Sequence, residues 1–241
     1  MNWQDQGIIT RTQKFSETSL IVNIFSQEKG LISAMVKGGR SKAKFPIYQI
    51  SNLVEFKANA RLEEHMPKIH AEIKKNYLAD FLNNQQITLC CKSILEMINQ
   101  TMPQGQAHQD FFAMLIDFMN QLKEAENIIA KLILLEVEIL TQIGFGLDLT
   151  KCAVTQETEN LYYISPNSAR AVTKKIGAKY HDKLFIIPDF FHKPEILKTQ
   201  IISKDSLKNA LQITQFFLEK FFYKPHKQKL PISRNLLENI L

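Results

Sequence analysis

Near Asn76 the spacing of apolar residues changes from two to about three and a half, so one chain must supply both a sheet and a helical layer. Upstream of that point the pattern is that of short strands. Residues 8–14 make one, and 19–25 a second, in which Leu20, Val22 and Ile24 alternate with Ile21, Asn23 and Phe25. A turn at 27–30, with Gly30 supplying a positive φ, leads into a strand over 31–36. A loop over 37–46 follows, then a strand over 48–57 and a shorter pair at 61–66 and 69–73, connected at Pro67 where no ladder N–H is needed. Short strands joined by tight turns predict a small closed barrel.

Downstream the period is helical. Ile87, Cys90, Cys91, Ile94, Leu95 and Ile98 form one stripe, stopped at Pro103-Gln104-Gly105. Phe111, Phe112, Leu115, Phe118, Met119 and Leu122 form the next. Ile128, Leu132, Leu135, Ile139 and Ile143, with apolar residues around the rest of the cylinder, predict a central helix ending at Gly144. An irregular stretch over 145–200 carries turn signals at Ser165-Pro166-Asn167, Gly177 and Pro188. Ser203 then opens a long amphipathic helix that Pro225 stops, and Ser233 is expected to cap a short final helix. The class expected is α+β, with a barrel domain over 1–76 and a helical domain over 77–241.

At 241 residues there is room for two such domains. The formal charge is +6, but it is unevenly spread: +4 over residues 1–80, −5 over 81–150 and +7 over 151–241. A basic head and tail around an acidic waist point to a polyanionic partner more firmly than the net value does. The three cysteines, two of them adjacent, argue for a reducing compartment. The opening MNWQDQG lacks the character of a signal peptide. The apolar run 128–143 is broken by Lys131, Glu136 and Glu138, which predicts a buried helix and no membrane span. A cytoplasmic protein is expected, with no membrane partner.

The most informative local feature is Lys37-Gly38-Gly39-Arg40-Ser41-Lys42-Ala43-Lys44-Phe45, with four cations and no acid. Repeated cations suit a polyphosphate backbone, because neutralising several phosphates together releases condensed counterions. The two glycines would let backbone N–H groups approach a phosphate. Phe15, Phe45, Tyr48 and Phe56 lie nearby, and rings of this kind stack bases in single-strand binders. Phe25 and Phe56, on alternating strands, read as core. The candidate interface is therefore Lys37, Gly38, Gly39, Arg40, Lys42 and Lys44, joined by Arg11 and Lys14, with Phe45 and Tyr48 as stacking rings. The same residues also fit a solvated basic turn beside core aromatics. No catalytic pattern emerges: there is no P-loop, no nucleophile elbow and no metal-nuclease carboxylate set. No catalytic residue, metal or cofactor is expected, and Cys90 and Cys91 read as ordinary core.

Two blocks of the chain resemble the RecO family, in its proteobacterial form. The first comprises Trp3, Asp5, Gly7 and Ile8, then Glu17-Thr18-Ser19, Phe25-Ser26-x-Glu28-x-Gly30, and Val36-Lys37-Gly38-Gly39-Arg40-Ser41-Lys42. The second comprises Gly144-Phe145-Gly146-Leu147-Asp148-Leu149, Cys152-Ala153-Val154-Thr155 and Ser165-Pro166-x-Ser168-x-Arg170-Ala171-Val172. The resemblance implies an N-terminal OB-fold β-barrel followed by an α-helical bundle domain. It also implies a non-enzymatic mediator that binds single- and double-stranded DNA and anneals complementary strands without ATP. RecR and the acidic tail of single-strand-binding protein would be its partners, RecA an indirect one, and the nucleoid its place of work during repair. Some relatives carry a four-cysteine zinc knuckle, but here its opening reads Cys152-Ala153-Val154-Thr155 with no later cysteine, so no zinc is expected. Ala169 stands where the family pattern has glycine. Arg170, Lys174 and Lys175 form a second candidate site for DNA or a partner, although Arg170 could equally buttress the fold through Asp148. The alternative reading is an adaptor for acidic protein tails whose DNA contact is incidental.

Overall fold

Strands β1 (Asn2–Lys14), β2 (Leu20–Ser26), β3 (Gly30–Val36), β4 (Asn52–Asn59) and β5 (Lys68–Asn76) build the N-terminal sheet of the computed structural model. That structure describes every residue except 63, 64, 82, 83 and 125. The pairing order β1-β2-β3-β5-β4, with β4 returning to β1, runs round a closed ring. This is the five-stranded Greek-key arrangement of an OB fold. The β3–β5 seam is its thinnest part, a parallel contact at Met35 and Lys68 where the Met35 N–H donates to the Pro67 carbonyl at 2.8 Å.

Three strand expectations need correction. β1 begins at Asn2, six residues early, because its polar first half is paired along its length with β4, from Asn2 with Asn59 to Ile8 with Leu53. The strand expected at 48–57 starts only at Asn52: Phe45–Tyr48 form a 3-10 turn with Pro46 at its start, and Ser51 adopts a left-handed φ of 73°. The strand expected at 61–66 is absent among its described residues, Arg61, Leu62, His65 and Met66, while Glu63 and Glu64 lie outside the described residues. β5 pairs directly with β4 instead.

Ile9, Leu20, Val22, Ile24, Val36, Tyr48, Val54, Phe56 and Ile69 fill the barrel. Burying each large apolar side chain contributes about 1.5–3 kcal/mol. Part of the opposite face of β1 and β2 is buried, at Ile8, Thr10 and Phe25. Helices α1 (Gln85–Thr101) and α2 (Gln109–Asn120) cover it. Phe25 packs edge-on against Phe111 with centroids 5.6 Å apart, and the Asn99 amide oxygen accepts from Thr10 Oγ1 and Asn23 Nδ2, both at 2.9 Å. The first compact unit consequently runs from Met1 to Glu124 and the second from Ala125 to Leu241. The change of period at 76 marks where strands give way to helices within the first unit.

In the second unit α3 (Ile128–Gln142) packs against α4 (Lys204–Leu218), which continues as a π turn over Glu219–Tyr223 before Pro225. Ser203 caps α4 by accepting from the Ser206 N–H. Helix α5 (Ile232–Asn239) is preceded by Pro231, so Ser233 lies inside its first turn, buried, and is not the cap. Arg234 of α5 and Glu136 of α3 are fully buried and ion-paired, with Thr214 of α4 donating to the same carboxylate. Within the stretch expected to be irregular, β6 (Leu161–Ile164), β7 (Ala171–Thr173) and β8 (Phe185–Ile186) form a small sheet in the order β7-β6-β8. Each is too short for an alternation to show. The turn into β7 holds Ala169 at a φ of +56°, so the alanine occupies the left-handed conformation that glycine would take without strain. Cysteines 90, 91 and 152 are buried, and none of them forms a disulfide among the described residues.

Candidate nucleic-acid interface

The basic loop leaves the barrel beside another turn. Lys14 of β1 faces Leu20 of β2, and Leu20 faces Val36 of β3, so residues 15–19 and 37–44 emerge from adjacent strands at the same end. The loop is a wound, hydrogen-bonded segment. The Ser41 N–H donates to the Gly38 carbonyl at 3.1 Å, and the Lys44 and Phe45 N–H groups both donate to the Ser41 carbonyl, at 3.1 and 2.9 Å. Its cations are therefore held on a shaped backbone, which lowers the conformational entropy lost on binding.

Those cations divide by what they touch. Lys37 and Lys42 are exposed, and their ammonium groups make no hydrogen bond or ion pair among the described residues. Lys44 is half-buried and its Nζ donates to the Lys37 carbonyl at 3.3 Å. Arg40 Nη1 donates to the Ser16 carbonyl at 2.7 Å, and the Arg40 N–H donates to the Thr18 carbonyl at 3.1 Å. Arg40 thus ties the two turns together, with further guanidinium donors left over. Arg11 and Lys14 stand exposed on β1. Gly38 holds a φ of +65°, which glycine adopts without strain. Gly39 is buried: a Cβ there would meet Val36 Cγ1 at 2.9 Å, and its N–H already donates to the Val36 carbonyl at 3.4 Å. Its role is close packing on the barrel end, and its N–H is not aimed at a phosphate.

The aromatic expectations are reordered. Tyr48 is 1% exposed, inside the barrel, and its hydroxyl oxygen accepts from the Ala71 N–H at 3.0 Å. A ring in that position cannot stack a base, so Tyr48 is a core residue. Phe45 is 42% exposed, and Phe15, on the neighbouring turn, 57%. Phe15 lies outside the sequence-derived interface, although its place between β1 and β2 was a signal that its ring leaves the barrel.

Arg170, Lys174 and Lys175 belong to the second unit and are arranged differently. Arg170 Nε meets Asp148 Oδ2 at 3.1 Å, while the backbones of residues 148 and 170 form a parallel bridge. Bonds from the Thr150 side chain and amide, together with Arg170, hold the Asp148 carboxyl below its usual range. An anionic partner would have to compete with that carboxylate, so Arg170 acts first as a buttress. Lys174 sits over the Tyr162 ring, 4.9 Å from its centroid, and Lys175 is exposed. Farther along, Lys220 donates to the Pro166 carbonyl at 2.6 Å.

Cys152 is fully buried. Burial alone would raise its thiol, but the Thr155 hydroxyl and the N–H groups of Thr155, Thr173 and Val154 outweigh that and bring it down to about 6. Among the described residues no group of three or more His, Cys, Asp or Glu side chains could hold a metal ion, and no helix is long and apolar enough to cross a membrane.

Comparison with known proteins is consistent along the chain. Residues 1–77 match the family model described as Recombination protein O N terminal, and residues 86–230 match Recombination protein O C terminal. A DNA repair protein RecO of Rickettsia bellii is 33% identical over 229 residues, covering 95% of this chain and 92% of that protein. Its counterparts in Rickettsia felis and Rickettsia typhi are 32% and 33% identical over 228 residues, covering 95% of this chain and 94% of theirs.

Proposed function

The chain belongs to the RecO family of DNA repair and recombination proteins, and we propose that it acts there by binding DNA at the barrel end and annealing complementary strands. The role in repair and recombination follows from the family, which is one of mediators and not of catalytic enzymes. The binding site is our own reading. The observation that carries it is the exposed, carboxylate-free loop 37–44, shaped by its own hydrogen bonds on an OB-type barrel.

Annealing requires that two polyanions be brought close, their charge reduced and their bases left accessible. Base pairing then supplies the free energy, so neither nucleotide hydrolysis nor a metal is chemically needed. In this proposal Lys37 and Lys42 screen one strand, Arg11 and Lys14 extend the cationic track, and lysines of the second unit, Lys174 and Lys175 among them, approach the other. By the family resemblance, RecR and the acidic tail of single-strand-binding protein would be the protein partners. Loading of RecA would be the outcome, in the cytoplasm at the nucleoid.

The test is annealing of complementary oligonucleotides in EDTA without ATP. Acceleration at low salt, suppressed by moderate salt, with both strands chemically intact, is expected. A spontaneous rate under saturating protein would refute the annealing role. If binding to the acidic tail survived that result, the protein would be an adaptor.

A further inference from the structure

Resting on that DNA-binding reading, we propose that Phe15 and Phe45 form a two-ring clamp for unpaired bases, held in register by Arg40, which makes the barrel end select single strands over duplex. A scattered exposed phenylalanine needs no explanation by itself. Here the two rings are 57% and 42% exposed; Phe15 directly follows β1, and Phe45 follows the loop 37–44 that leaves β3 at the same barrel end. Arg40 links those two segments through two hydrogen bonds, from its guanidinium to Ser16 and from its backbone to Thr18.

The Phe15 turn is itself closed, with the Phe15 N–H donating to the Ser19 carbonyl at 3.1 Å, and Phe45 begins the 3-10 turn Phe45–Tyr48. Each ring is thus mounted on a short hydrogen-bonded segment. Between 11 and 19 and between 37 and 45 the charges are Arg11, Lys14, Lys37, Arg40, Lys42 and Lys44 against the single carboxylate Glu17. The rings therefore stand in a strongly cationic setting, where a polyanion would be drawn.

The chemistry separates two classes of DNA. Cations address phosphates, which single strands and duplexes both present. A phenyl ring needs the face of a base, and in a duplex that face is already stacked on its neighbours. The rings would therefore add affinity for single strands only. Base–aromatic stacking corresponds to roughly five- to hundred-and-fifty-fold in affinity per ring. Arg40 is a positioning residue in this scheme, setting one ring's turn against the other.

Phe15→Ala, Phe45→Ala and Arg40→Lys would be titrated with fluorescent oligothymidine, an abasic oligonucleotide of the same length, and a duplex. Each phenylalanine variant should lose about fivefold or more on oligothymidine but less than about twofold on the abasic strand and the duplex. The slope of log affinity against log salt should not change. Arg40→Lys keeps the charge and the backbone bond to Thr18 but removes the guanidinium that reaches the Ser16 carbonyl, and should lower the ratio of oligothymidine to abasic affinity at an unchanged slope. An unaltered ratio would remove Arg40 from the clamp. Equal losses on all three ligands would show that the rings only support the loop, overturning the proposal. No loss on oligothymidine, with Lys37→Ala/Lys42→Ala still impaired, would overturn the clamp and leave the DNA site standing. If neither set were impaired, the DNA-binding reading beneath it would fail as well.

Discussion

Replacing Lys37 and Lys42 together by alanine should flatten the salt dependence of single-strand binding by an amount the structure sets. Among the loop cations these two have exposed ammonium groups with no partner among the described residues, whereas Arg40 and Lys44 already hold backbone carbonyls. For single strands each neutralised phosphate contributes about 0.7 to the slope of log affinity against log salt, so the double variant should lose about 1.4. Over a fourfold rise, from roughly 50 to 200 mM, the unmodified protein should then weaken about sevenfold more than the variant. Fluorescence anisotropy with a labelled oligonucleotide at five or so salt concentrations measures this directly. Lys204→Ala/Lys208→Ala removes the same charge from exposed positions on α4 and should leave the slope unchanged. An unchanged slope in the Lys37/Lys42 variant, or an equal fall in the Lys204/Lys208 control, would refute the assignment of phosphate contacts to this loop.

Tyr48→Phe should destabilise the protein by about 1–3 kcal/mol in urea unfolding, because the buried Ala71 N–H loses its acceptor, while DNA affinity stays unchanged. A loss of DNA affinity at full stability would restore Tyr48 as a base contact. Arg234→Leu should destabilise by about 3–5 kcal/mol by leaving Glu136 buried and unpaired, and adding Glu136→Leu should recover much of it. A single-variant effect under about 1 kcal/mol would contradict that account. The Asp148 carboxyl is held below its usual range, so its contribution to stability is full above the unfolded carboxylate pKa of about 3.9 and is lost as pH falls through the lower folded value. Carboxyl NMR titration should show Thr150→Ala and Arg170→Ala each raising it, and an unchanged titration in both variants would contradict this account.

Local pattern was enough to determine a good deal of this protein. The alternation of Leu20, Val22 and Ile24 marked β2, the stripe from Ile87 to Ile98 marked α1, and Ser203 before an amphipathic run marked the start of α4. The basic loop was visible because its charge and glycines are contiguous, and a family resemblance lay in short blocks that keep their order. What tertiary structure alone decided concerns partners distant along the chain. Tyr48 and Phe45 lie three residues apart in one 3-10 turn, yet one is core and the other exposed, because Tyr48 finds the Ala71 N–H on β5, 23 residues away. Asn99 looks like any polar residue on a helix until Thr10 and Asn23 meet it, and that contact ties α1 to the barrel as the Phe25–Phe111 pair ties α2, within the unit ending at Glu124. No local pattern marks Arg234 for burial, but Glu136, 98 residues earlier, takes it into the interior. Arg40 reads as a phosphate ligand, but its carbonyl partner on the neighbouring turn makes it a strut. Local periodicity reports which residues share a face. Whether that face meets water, a second layer or a paired charge depends on segments that only folding brings together.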